Sequence, residues 1–159
     1  MNEMNFDSDS VSALLRPGAA MAQAYERAWD SVWRQPHVPA SLLELCRLRM
    51  ARMHGATAEL DAAPRPEVGK IDSGKRAAVL AGSYTRDDRV SPSERAAVEF
   101  AEVYAMDAQA ITDDLARDVV AHFGEPGLVA LIEALGFIDG RIRLARMLGP
   151  LFDRGTHHA

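Results

Sequence analysis

Glu44, Cys46, Arg47 and His54 crowd into one short stretch, and each could do a different kind of chemistry. Wound as a helix, the stretch sets Glu44 beside Ala51, with Leu48 to one side and Arg47 and His54 to the other. A carboxylate half-hidden on such a helix would have a raised pKa and suit general acid or base work. An ion pair with Arg47 would instead lower that pKa and leave a structural bridge. His54 stands at the helix end, where the C-terminal dipole favours the imidazolium. It could shuttle protons near neutral pH or contribute nothing beyond its charge. Cys46 is the sole cysteine, which excludes an internal disulfide, intramolecular dithiol chemistry and a cysteine zinc site. Its apolar neighbours make it read as a small core residue.

Farther along, Asp139 and Arg143 stand one helical turn apart, the spacing of an ion pair. Arg143 could clamp a substrate carboxylate, although a pair that holds the helix is the simpler expectation. Gly136 and Gly140 share a face of the same helix and would let another backbone approach closely, within the subunit or at an oligomer seam. Trp29 and Trp33 read as core or interface anchors, and His122 closes its helix. The run Thr156-His157-His158 could hold a metal adventitiously, but a frayed terminus is the simpler reading. No residue pattern asks for a cofactor or a metal, and none is expected.

These residues need helices to position them. After a lead-in over 1–16, Pro17 suits a first helical position, and Met21, Tyr25, Trp29, Val32 and Trp33 recur at helical spacing until Pro36 and Pro39. A second helix is expected over Ala40–His54, stopped by Gly55, and a short one over Ala56–Ala63. Residues 64–71 read as a loop, Asp72 caps a helix over Ser73–Ala81, and 82–90 reads as a polar connection. Ser91-Pro92-Ser93-Glu94 is a clean start signal for a helix fading near Asp107. Thr112 caps the next through Phe123, stopped by Gly124. Pro126 opens a last apolar helix ending at Gly149-Pro150, which places the domain over 17–150 and a tail over 151–159. With about seven helices and no convincing strand, the class is all-α, a helical bundle.

Composition narrows the partners. The chain has 159 residues, 48% of them hydrophobic and 26% charged, enough for one domain with a buried core. A net charge of −5 and scattered basic residues argue against a nucleic-acid partner. Lysine occurs only at Lys70 and Lys75 against many arginines, the bias of a GC-rich bacterial genome. No apolar run approaches a membrane span, and the polar, acidic start lacks the pattern of a signal peptide, so the expected location is the cytoplasm.

The stretch Glu44-Leu45-Cys46-Arg47-Leu48-Arg49-Met50-Ala51-Arg52-Met53-His54-Gly55 resembles the signature helix of the carboxymuconolactone decarboxylase/AhpD-like superfamily. Val90-Ser91-Pro92-Ser93-Glu94-Arg95-Ala96-Ala97 resembles the start of that family's next long helix, and Ala121-His122-Phe123 with 135–149 resembles its closing segment. The resemblance covers roughly residues 15–150. It implies an all-helical fold assembling as homo-oligomers, trimers or hexamers with a dimer also open, and active sites near subunit contacts. The family's redox branch carries Asn-Gly-Cys-x-x-Cys-x-x-x-His. Here His54 stands at the Asn position, Gly55 is kept, Ala56 and Glu59 replace the cysteines, and Ala63 replaces the last His. Thiolate is what attacks a peroxide, so the thiol route is stripped out.

Glu44 matches a family glutamate that aids proton transfer. Glu59, at the second cysteine position, would form a carboxylate pair with it or remain a solvated residue on a short helix. Thr57 and Asp61 are weaker candidates. The resemblance favours a non-thiol, acid–base enzyme acting on a small organic acid: a decarboxylase, lyase or isomerase. Glu44, His54 and Glu59 would be catalytic, with Arg143, Asp139 and Arg47 binding the substrate. A non-catalytic oligomeric binding protein on the same fold is the alternative, favoured by a sealed pocket around Glu44. An alkylhydroperoxidase-like antioxidant role would require a reactive Cys46.

Overall fold

The computed structural model describes residues 15, 18 and 20–155, with side chains through Met147. The lead-in (apart from Leu15), Pro17 and the Thr156-His157-His158 run lie outside the described residues. The described chain is helical, in the order α1 (Ala20–Arg34), α2 (Ala40–Met53), α3 (Thr57–Asp61), α4 (Ser73–Ala81), α5 (Pro92–Asp107) and α6 (Asp113–Gly155). Single 3-10 turns at Pro66–Val68, Tyr84–Arg86 and Ala108–Ala110 punctuate the connections.

The starts follow local chemistry. The Asp72 carboxylate accepts from the Lys75 backbone N–H at 2.8 Å. Ser91 and Glu94 close a reciprocal capping box, with Pro92 at the first helical position. The Thr112 hydroxyl accepts from the Leu115 N–H at 3.3 Å. Gly55 and Gly82 adopt left-handed φ values of 63° and 75°, and both stand just past a helix end, where glycine is the residue that tolerates this turn.

Helix α2 is the axis of the fold. Leu42, Leu43, Leu45, Cys46, Leu48, Met50 and Ala51 are all buried, so it is apolar around most of its circumference. It packs against α5 and α6, with α3 and α4 along its flanks. Ala96, Ala97 and Ala101 on α5 are small enough to let the two backbones close. Glu44 and Arg47, on the first turns of α2, are therefore carried into the interior.

Three elements differ from expectation. The two last helices merge into α6, whose only non-helical residue is Gly124 at φ 69°, ψ 175°. Six helices are counted among the described residues where about seven were read, but the expected stop is there: at Gly124 the backbone leaves helical space, so α6 is two helical limbs joined at a kink. Helix α6 also continues through Pro150 to Gly155, past the expected stop at Gly149-Pro150, although a proline there removes one backbone donor. The polar connection at 82–90 is not wholly superficial either. Tyr84 turns inward at 2% exposure, kept protonated by burial and by the neighbouring Glu102 carboxylate.

Candidate functional site

Four charged side chains meet in the interior: Glu44 and Arg47 from α2, Glu59 from α3 and Arg141 from α6, each under a tenth exposed. Arg47 lies three residues after Glu44 and closes a two-pronged pair with it, both N–H···O distances being 2.7 Å. Its remaining nitrogen donates to the Glu59 backbone carbonyl at 2.5 Å and approaches the Glu59 carboxylate at 3.3 Å. Arg141 meets the other Glu59 oxygen at 3.6 Å and lies 4.8 Å from the centre of the Trp29 ring, a cation–π distance. Two carboxylates thus face two guanidiniums, and the group is neutral as a whole.

Burial works against the charge on Arg47, but the hydrogen bonds and charge of Glu44, with Glu59 behind them, outweigh it and raise its pKa. The Tyr25 phenol next to this group is raised by burial, partly offset by the Arg141 charge and hydrogen bond. Trp29 and Trp33, edge-on at 5.2 Å, close the chamber from α1, and Arg65 and Ala63 complete its wall. The space left is about 20 Å³, room for roughly one water molecule. Trp33 lines it, and the indole N–H has no acceptor among the described residues.

A second cluster lies apart, at the end of α2. His54 Nε2 is 2.8 Å from one Asp139 oxygen, and the other accepts from Arg143 Nε at 2.6 Å. The His54 and Asp139 side chains are 16% and 15% exposed, and that of Arg143 61%, so this chain of three reaches the surface.

The residues singled out in the sequence therefore divide in two. Glu44, Arg47 and Glu59 come together; His54 joins Asp139 and Arg143 rather than the carboxylates. Thr57 and Asp61 are exposed and belong to neither cluster. Cys46 is fully buried against the Ala97 carbonyl, 3.6 Å away, and burial pushes its thiol pKa far up, the opposite of what a peroxidatic thiol needs. Sequence reasoning missed Arg141. The signal was there: it falls on the stripe of α6 that carries Ala134, Ile138 and Ile142, where a charge is out of place unless something inside meets it.

Between α1 and α6 runs an open groove of about 870 Å³, lined chiefly by apolar side chains including Val32, Phe137 and Leu144. No group of three or more His, Cys, Asp or Glu residues with metal-holding geometry occurs among the described residues. No described helix is long and apolar enough to cross a membrane. No family model, curated protein or solved structure matches the chain.

Proposed function

We propose that the chain is a divergent relative of the carboxymuconolactone decarboxylase/AhpD-like superfamily that works as a non-catalytic binding and assembly protein, its former reaction chamber converted into a structural ion-pair lock. The observation that carries this is the enclosure of Glu44: both carboxylate oxygens are held by Arg47 at 2.7 Å, in a space of about 20 Å³ that admits no organic substrate. A general base needs a free lone pair within reach of a substrate proton. Arg47 takes one lone pair on each Glu44 oxygen, and the closed chamber leaves no substrate proton within reach of the others. The convergence of Glu44 and Glu59 on one guanidinium supports the kinship, because the resemblance pairs these two positions across a common pocket.

A second reading rests on the other cluster. A histidine oriented by an aspartate and partly open to solvent is an arrangement that can move protons. In that reading His54 is the acid–base group for a small organic acid and Arg143 the anion clamp.

One footprinting experiment addresses both. Native protein is treated with a carbodiimide for carboxylates and diethylpyrocarbonate for histidines, and the modified peptides are read by mass spectrometry. The lock predicts that Glu44 and Glu59 stay unmodified until the protein unfolds, while exposed carboxylates react. Modification of Glu44 in the folded state, blocked by a small organic acid, sinks the non-catalytic reading. The second reading requires a small organic acid to shield His54, and unchanged His54 reactivity across a panel of such acids dismisses it.

A further inference from the structure

The outer face of α6 carries apolar surface with no partner among the described residues. Val129, Ile132 and Met147 are 55%, 41% and 61% exposed, although each sits on a helix that buries its opposite stripe completely. Between them lie Gly136 and Gly140. A glycine inside a helix costs about 1 kcal/mol relative to alanine, so a close approach is expected at each. Gly136 has one: a Cβ there would stand 3.4 Å from the Tyr104 hydroxyl. Gly140 has none, since a Cβ there would meet nothing within 4 Å. Whatever Gly140 makes room for is not among the described residues.

The order of residues along the face says what fits it. Gly136 and Gly140 are equidistant in sequence from Ile138, and so are Ile132 and Leu144, and Val129 and Met147. Two exposed charges beside the glycines obey the same symmetry, acid for base: Glu133 on one side and Arg143 on the other. Laid antiparallel against a copy of itself about Ile138, the helix sets glycine against glycine, apolar against apolar and Glu133 against Arg143, twice over. Laid parallel, it would set Glu133 against Glu133 and Arg143 against Arg143. A surface that complements itself under a two-fold axis is what an isologous interface requires.

We infer that residues 129–147 of α6 form a two-fold interface with a second copy of this chain. The helices cross near Gly136 and Gly140, where the missing side chains let the backbones close, at the shallow angle of about 20° that antiparallel bundle helices adopt. The copy's α6 occupies the open groove, to which Ile132, Glu133, Gly136, Gly140 and Leu144 all contribute lining. Glu133 of each copy then reaches Arg143 of the other, whose side chain is 61% exposed and tied to Asp139 by only one nitrogen in the hydrogen bonds seen. This rests on the assembly half of the function proposed above and is independent of the carboxylate footprint that tests the lock, so each can fail alone.

The test is mass in solution, by sedimentation velocity over a concentration series, on the full chain and three variants. Wild type is expected as a dimer or an even multiple of one. Gly140→Leu fills the crossing point but meets open space within the subunit, so it should fold with unchanged circular dichroism. It should weaken association at least about tenfold, equivalent to about 1.4 kcal/mol. Glu133→Arg sets like charges across the axis and should weaken association similarly. Adding Arg143→Glu to Glu133→Arg restores opposite charges at both contacts and should recover association. A monomeric wild type, or an assembly that Gly140→Leu and Glu133→Arg leave intact, overturns the interface. Loss in Glu133→Arg without recovery in the charge-swapped chain overturns the antiparallel pairing.

Discussion

At the scale of single residues, the chain shows how the same side chain can be a reagent or a rivet. Glu44 has the residue type of a general base, but its neighbour three positions on and the closed chamber determine its role, because the guanidinium fork holds both oxygens where no substrate can enter. Cys46 is likewise disarmed by place: full burial favours the neutral thiol. Asp87 gives a residue-scale prediction with a definite sign. Its carboxylate accepts from the Arg89 side chain at 2.8 and 2.6 Å and from the Arg89 backbone N–H at 3.0 Å. Those hydrogen bonds lower its pKa from 3.8 to about 2. A folded value below the unfolded one stabilises the fold above about pH 4, and that contribution disappears as the pH falls through about 2. Asp87→Asn should therefore flatten the loss of stability over this interval, measured as urea midpoints at a series of acid pH values. The pair is solvent-exposed, so added salt should shrink the effect. A variant that follows the wild-type profile contradicts the assignment.

At the scale of elements, Gly124 carries the most consequence. At φ 69° and ψ 175° it occupies backbone space that glycine alone enters freely, and it turns the short leading limb of α6 against the rest. A Cβ there would stand 3.5 Å from the Pro126 ring, an ordinary contact, so the penalty for a side chain is conformational rather than steric. Gly124→Ala should lower the unfolding free energy by about 1–3 kcal/mol, read from urea denaturation. An unchanged midpoint would mean that the bend is not held by this residue. The helices, their caps and the Glu44–Arg47 pairing were legible in the sequence because they are local, fixed within one turn of chain. Glu59 was named as a partner of Glu44, but its burial was left open, since that depends on α3 folding back across α2 after Gly55. The break at Gly124 was legible too, because a glycine between two helical patterns marks where the backbone leaves helical space. Arg141 was visible only as an anomaly on an apolar stripe, and its partners lie on two other helices.

At the scale of the whole molecule, the interior and the surface tell complementary stories. The centre holds a neutral set of four charges enclosed by Trp29 and Trp33, and the outer face of α6 displays apolar residues and an acid–base pair arranged about a point. An interior built this way cannot be dismantled piecemeal. Removing one partner of a buried pair strands the other charge and typically costs about 3–5 kcal/mol, whereas exchanging the whole set for apolar groups of similar size is neutral or stabilising. Catalytic residues behave otherwise, since their removal often leaves stability untouched or improves it. The measurement that bears most directly on the lock is the unfolding free energy of Arg47→Met beside that of a chain in which Glu44, Arg47, Glu59 and Arg141 are all replaced by leucine or methionine. The lock predicts a loss of about 3–5 kcal/mol for the single change and none for the fourfold one. An Arg47→Met protein as stable as the wild type would contradict it.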